Sequence, residues 1–256
     1  MHCKKKKMFG IFKRNRRSKR EITFNYETLK VDMHSHVLPG IDDGAKTPQE
    51  SIILIKAMMK LGIKKIIATP HIMADFYKNT SETINASLEL LKKELKKENI
   101  TIDIAVAAEH YFDETFEARV NNHNLMTMGD NYVLFEFSFI SMPANYITVV
   151  QKMRDNGYKP ILAHPERYLY LNLEQYKQLH DWGCDFQLNS ISLTGYYGRD
   201  VKNQAEMLVD NQLVDFISSD MHHQRHANAF ADALRTSYME KLLFDYPLKN
   251  IMLFDN

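Results

Sequence analysis

The chain has 256 residues, 45% of them apolar and 25% charged, with few Gly and Pro; this suits one large α/β domain with a real core and excludes a small cross-linked scaffold. Two distant cysteines, Cys3 and Cys184, argue against a disulfide framework or a Cys-rich zinc site and for reduced, cytoplasmic chemistry. The net charge of +1 hides an asymmetry: residues 1–20 hold ten Lys or Arg and no acid, leaving 23 bases against 32 acids, about −9, in the rest.

Residues 1–28 read as a basic arm ahead of a domain spanning 29–256. Its apolar stretch, Met8 to Phe12, is too short for a signal peptide, and no run in the chain is long enough to span a bilayer. A solvated, disordered leader is the plain reading. The alternative is an electrostatic arm whose Phe9, Ile11 and Phe12 lie on an anionic membrane, bringing a cytoplasmic protein to its inner face.

Seven apolar, strand-like runs follow, each ending in a polar residue of metal-ligand type. Lys30 to Met33 leads to His34-Ser35-His36, and Lys65 to Thr69 leads through Pro70 to His71. Ile102 to Ala108 gives Glu109, Tyr132 to Phe135 gives Glu136, and Pro160 to Ala163 gives His164. Cys184 to Leu188 ends at Asn189, and Val214 to Ser219 ends in Asp220-Met221-His222. Between them the pattern predicts helices. Thr47-Pro48-Gln49-Glu50 caps one that runs to about Leu61, and Ile84, Leu88, Leu91 and Leu95 mark a stripe from Ser81 to about Glu98. Further helices are expected at about 145–156, 173–182, 201–211 and 227–243. Strands alternating with helices call for parallel strands joined by right-handed crossovers. Polar groups recurring at their C-terminal ends mean one shared site in a distorted (β/α)7 barrel.

His34 and His36 are two apart, so on extended backbone both project to one side and can grip one ion. Asp43, in Gly40-Ile41-Asp42-Asp43-Gly44, offers an oxygen, while Asp42 reads nearly as well as an Asx-type turn. Clustered divalent ions lower the pKa of a water toward neutrality and neutralise phosphoryl oxygens. Arg167, just after His164, can fork onto a phosphate, with a structural ion pair as its other role. Asn189 is placed to orient a ligand or substrate. Tyr168, Tyr170, Tyr196 and Tyr197 read as packing, with a pocket mouth as the alternative. His110, beside Glu109, should point away from it, and His123, His180, His223 and His226 read as bystanders.

Asp32-Met33-His34-Ser35-His36 through Asp42-Asp43-Gly44, Ala68-Thr69-Pro70-His71, Ala163-His164-Pro165-Glu166-Arg167-Tyr168 and Ser219-Asp220-Met221-His222 together resemble the polymerase-and-histidinol-phosphatase (PHP) superfamily. Within it the chain is most similar to the bacterial capsule-type tyrosine phosphatases, the CpsB, CapC and YwqE group. The resemblance implies a PHP-type barrel holding three divalent ions, most often Mn²⁺, with Fe or Zn²⁺ compatible with the same ligands. It implies that His34, His36, Glu109 and Asp220 hold the first ion. Glu109, bridging, would hold the second with Glu136 and His164, and Asp43, His71 and His222 the third. The family's second phosphate-binding Arg follows the final D-x-H by a few residues, where this chain offers Arg225 within His223-Gln224-Arg225-His226.

The expected activity is hydrolysis of phosphotyrosine by a metal-activated hydroxide, on the tail of a bacterial tyrosine autokinase controlling capsule or exopolysaccharide synthesis. His222 is a candidate acid as well as a ligand. One alternative is a small-molecule phosphomonoesterase such as a histidinol-phosphate phosphatase; another is a non-catalytic kinase-binding regulator. No nucleic-acid partner is expected. A cysteine-based phosphatase is excluded, since the position six after Cys184 is Ser190 and six after Cys3 is Phe9, where Arg is required.

Overall fold

The computed structural model describes residues 21–254; the greater part of the basic arm, with Phe9, Ile11 and Phe12, lies outside the described residues. Among the described residues there are nine short strands: β1 Val31–Asp32, β2 Lys65–Ala68, β3 His71–Ile72, β4 Asp103–Val106, β5 Glu109–Tyr111, β6 Tyr132–Glu136, β7 Lys159–Ala163, β8 Asp185–Asn189 and β9 Phe216–Ser218. Helices α1 Pro48–Lys60, α2 Ser81–Lys97, α3 Phe116–Asn121, α4 Tyr146–Asp155, α5 Leu173–Asp181, α6 Arg199–Asp210, α7 Gln224–Ala233 and α8 Ser237–Phe244 cover them. The result is a mixed α/β fold in which the ladder pairs are all parallel, as expected.

The strands form two sheets, ordered β1-β2-β4 and β3-β5-β6-β7-β8-β9. The second and third expected strands are each followed by a further short one, β3 after β2 and β5 after β4. Pro70 has no N–H to give the ladder, so β2 stops before it and His71 opens β3. Ala107-Ala108 similarly separates β4 from β5, which begins at Glu109. These two ligand candidates thus open short strands instead of following strand ends. Hydrogen bonds run on across the breaks, Ala107 N to Ala68 O at 2.9 Å and Glu109 N to Pro70 O at 3.1 Å. At the far edges a parallel bridge pairs Ser35 with Met221, with His36 N donating to Met221 O at 2.9 Å.

Alternation along β6 shows how the layers separate. Leu134 joins an apolar cluster with Val31, Met33, Ile67, Ile161 and Phe216. Its neighbours Val133 and Phe135 face the larger cluster, which contains the helix residues Leu54, Leu91, Val149 and Leu208. The helices start where the sequence places caps: Thr47 accepts Glu50 N at 3.2 Å. A cap at Thr80, reciprocal with Thr83, opens α2, and the lysines on its outer face are exposed.

Three further expectations are corrected. The single helix expected over 227–243 is two, because Thr236 donates its hydroxyl to Ala233 O at 2.8 Å and accepts Met239 N at 3.2 Å, ending α7 and capping α8. Helix α3 stands where no helix was expected. Tyr26, on the arm side of the expected boundary at 28, is fully buried, stacks on Phe230 at 4.0 Å and donates to Phe230 O at 2.8 Å. The folded domain therefore starts before residue 29.

Candidate metal and phosphate site

The polar residues after β1, β7 and β9 converge with His71, Glu109 and Glu136 on a cavity of about 540 Å³. Three of the imidazoles there are turned by a partner on the far side. His34 donates from Nδ1 to Gln187 Oε1 at 2.8 Å, and His36 donates from Nδ1 to Asp42 Oδ2 at 2.8 Å. This fixes both tautomers, so the two Nε2 lone pairs converge, 3.2 Å apart. His222 gives Nδ1–H to Asp220 O at 2.9 Å, turning Nε2 toward Asp43 Oδ1, 3.5 Å away.

Glu109 lies at the centre. Its Oε2 is 3.2 Å from His34 Nε2, 3.3 Å from His36 Nε2 and 3.2 Å from His71 Nδ1, while Oε1 is 3.0 Å from His164 Nε2. Asp220 Oδ1 is 3.5 Å from Nε2 of both His34 and His36. Glu136 lies 3.1 Å from His71 Nδ1 and 3.7 Å from His164 Nε2. Four donor groups result: His34, His36 and Asp220; His34, Glu109 and His164; His71, Glu109 and Glu136; His36, Asp43, His71 and His222. All nine expected ligands are brought together. His71 spans two of these groups, with Nδ1 toward the glutamates and Nε2 3.5 Å from Asp43.

Nitrogen and oxygen donors without thiolate suit hard or borderline divalent cations. Two buried atoms, His71 Nδ1 and Glu109 Oε2, have no hydrogen-bond partner, the condition of ligands that await an ion. The electrostatics agree. Burial alone would raise the pKa of Glu109 and Asp220, but His34 and the neighbouring rings hold both carboxyls well below the usual range. Burial likewise opposes charge on His71, yet Glu109 and Glu136 draw its pKa up to about 9. The cluster therefore attracts positive charge strongly.

Backbone conformation is spent on this arrangement. His164 and Asp220 both have left-handed φ, 33° and 50°, a region that is sparsely populated by non-glycine residues. Asp220 N is anchored to His34 O at 3.0 Å, and His164 N to Gln187 Oε1 at 3.3 Å. Gly44 crosses His36 so closely that a Cβ would lie 2.0 Å from its carbonyl oxygen, which keeps the Asp42-Asp43 loop over the site.

Sequence reading missed part of the supporting shell. Gln187 orients His34 and passes its Nε2 hydrogen bond to Asn189 Oδ1 at 2.9 Å; Asn189 in turn donates to Asp220 Oδ2 at 2.7 Å. The signal was the i, i+2 spacing of two amides on one face of β8. Asp42 makes the expected Asx turn, accepting Gly44 N at 2.9 Å, and also orients His36, a role not read from the sequence. Asp32 accepts the Ser218 hydroxyl at 2.6 Å and Ser219 N at 2.7 Å, tying the ends of β1 and β9.

Arg167 lines the cavity, with Nη1 3.7 Å from Asp220 Oδ2. Arg225 sits in the first turn of α7, exposed and outside the cavity lining; the loop crowded by His223 and His226 aims it away. Those two histidines line the cavity instead. Tyr168 is buried and accepts Phe137 N at 3.0 Å, with its hydroxyl 3.4 Å from His164 Nδ1. His110 turns from the site to Met126, as expected.

The capsular polysaccharide synthesis family CpsB/CapC matches residues 30–251 of this sequence. The chain belongs to that family. It is 32% identical to the tyrosine-protein phosphatase YwqE of Bacillus subtilis (strain 168) over 201 residues, covering 77% of this chain and 79% of the relative. Identity to the tyrosine-protein phosphatase CpsB of Streptococcus pneumoniae is 27% over 238 residues, 87% of this chain and 98% of that one. A crystal structure from work on YwqE of Bacillus subtilis and CpsB of Streptococcus pneumoniae, described as metal-dependent tyrosine phosphatases, matches with a TM-score of 0.76 and 31% identity, covering 88% of this chain and 92% of the other. The CpsB/CapC family is the one its motifs resemble.

Proposed function

We propose that this chain is a metal-dependent protein tyrosine phosphatase, acting on the phosphorylated tail of a bacterial tyrosine autokinase in capsule or exopolysaccharide synthesis. The observation that carries the reading is Glu109, whose two oxygens face imidazoles from different strands in a cavity that Arg167 also lines. The two sheets are read as one distorted (β/α)7 barrel of PHP type, supported by the bridge between Ser35 and Met221.

His34, His36, Glu109 and Asp220 would hold a first ion, Glu109, Glu136 and His164 a second, and Asp43, His71 and His222 a third. Mn²⁺ is the preferred occupant, and Fe or Zn²⁺ suits the same donors. Bound divalent ions supply Lewis acidity, which lowers the pKa of water and offsets phosphoryl charge. The chain's own part is to hold its ligands rigid through Gln187, Asp42 and Asn189, and to present Arg167 to the phosphate. A phosphotyrosine leaves as a phenolate with a pKa of about 10, so little general-acid help is required. His222 is the residue proposed to give it.

The basic arm would add salt-sensitive contact with an anionic membrane at the cytoplasmic face; among the described residues no helix is long and apolar enough to cross one. The deciding experiment compares kcat/KM for a phosphotyrosine peptide, a phosphoserine peptide and histidinol phosphate across several metals. A clear preference for phosphotyrosine is expected. Equal constants for the two peptides, or a higher one for histidinol phosphate, would move the assignment to small-molecule hydrolysis.

A further inference from the structure

Arg167 is the one guanidinium lining the cavity among the described residues, and its setting is unusual for a long, exposed-end side chain. Its Cζ lies over two aromatic rings, 4.1 Å from the centroid of Phe139 and 4.5 Å from that of Tyr197. Phe139 comes from the connection between β6 and α4, and Tyr197 from the turn ahead of α6. Two separate loops therefore meet on one side chain.

Each ring is itself seated. Phe139 stacks on buried Tyr168, 5.8 Å and 24° apart, and lies 5.6 Å from the His164 ring. Tyr197 packs edge-on against Tyr196 at 5.0 Å and against His226 at 6.1 Å. A guanidinium donates hydrogen bonds only in its plane, while its faces are free to stack. Rings laid against it take up the faces and leave the in-plane N–H groups for an anion. They also remove rotamer freedom that an unrestrained Arg would lose on binding.

We propose that Phe139 and Tyr197 are positioning residues that hold the Arg167 fork toward the substrate phosphate. The inference rests on the phosphatase reading above and adds two residues to it. It separates Tyr197 from its neighbours Tyr170 and Tyr196, whose rings do not lie against the guanidinium.

The test is a double-mutant cycle in the full chain with a phosphotyrosine peptide, reading kcat, KM and inhibition by inorganic phosphate. Tyr197→Phe, which keeps the ring, should stay within about twofold of the parent, and Tyr197→Leu and Phe139→Leu should each lose about fivefold to thirtyfold in kcat/KM, the worth of one cation–π contact. Phosphate inhibition should weaken in the same two variants, which a merely structural role would not require. In an Arg167→Ala background, removing either ring should cost nothing further. Full additivity of the losses, with Arg167→Ala itself impaired, would overturn the positioning role and leave the phosphatase reading standing. Unchanged turnover and phosphate inhibition in Arg167→Ala would overturn the proposal together with the phosphate-binding role of Arg167, whereas no hydrolysis of the peptide by the metal-loaded parent chain would overturn the phosphatase reading itself.

Discussion

Two clusters of imidazole and carboxylate lie at opposite ends of the strands, and they are built from the same residue types. At one end stands the nine-residue cluster, with residues that follow β1, β7 and β9, end β6 and open β3 and β5. At the other end His180, Asp185 and Asp215 also bring donor atoms together at metal-ligand distances. The difference is Lys249. Its Nζ lies 2.8 Å from both Asp185 Oδ1 and Asp215 Oδ1, while Asp215 Oδ2 takes His180 Nε2 at 3.1 Å and Phe186 N at 2.9 Å. The lower cluster supplies its own cation and satisfies its oxygens. The upper one leaves a buried ring nitrogen and a carboxylate oxygen unpartnered and has no lysine among its lining residues. Ligand types and spacing are thus shared by a candidate metal site and a structural ion network; the lysine that pairs with the carboxylates of the second tells them apart.

The largest expected effect breaks the upper cluster at its centre. Glu109→Ala should lower phosphotyrosine turnover by about three orders of magnitude or more, since several kcal/mol of charge stabilisation depend on the ions it would hold. Elemental analysis should find a greater loss of metal than in His36→Ala. Full activity in chelator-stripped protein would sink the distinction between the two clusters. Next in size, Asp42→Ala should weaken metal affinity about tenfold to a hundredfold by releasing His36 from its orientation, as read by competition titration with a chromogenic chelator.

At the lower end Lys249→Ala should leave turnover and metal content intact. It should cost about 1–2 kcal/mol of stability, a few degrees in Tm: two partly buried carboxylates lose their shared cation, and the part-exposed lysine discounts the effect. Reduced metal content in that variant would show that the two ends are coupled. The smallest effect is in pH. The hydrogen bond to Asp215 raises the His180 pKa above its ordinary 6.5, against burial. The resulting stability is fully present below about pH 6.5 and fades as pH rises through the raised folded value. His180→Gln should flatten that part of the Tm–pH curve; an unchanged slope would assign the dependence to another group.

The parallel α/β order and the convergence of the nine ligand candidates on one cavity were largely legible because each candidate interrupts or ends an apolar run. Pattern alone did not locate β3 and β5, because these short strands begin at the polar residues His71 and Glu109, beyond the apolar runs. Thr236 reads as an ordinary helical residue until its hydroxyl is seen closing one helix and capping the next. Gln187 lies inside a buried strand, and an uncharged amide carries no ligand signature of its own. Arg225 follows the right motif, yet helix α7 turns it outward. The partners of Arg167 come from loops on either side of it in sequence, 28 and 30 residues away, a separation no local pattern bridges.

The seam between β1 and β9 has a consequence for synthesis on the ribosome. His34 N donates to Ser218 Oγ across 184 positions, and Asp32 is held by Ser218 and Ser219 from the same late segment. His34 and His36, made early, therefore wait for almost the whole chain before their surroundings exist. A nascent chain stalled before Phe216 would carry seven of the nine candidate ligands, lacking Asp220 and His222, without the clasp that sets them. Catalytic competence would then switch on as a late event of translation.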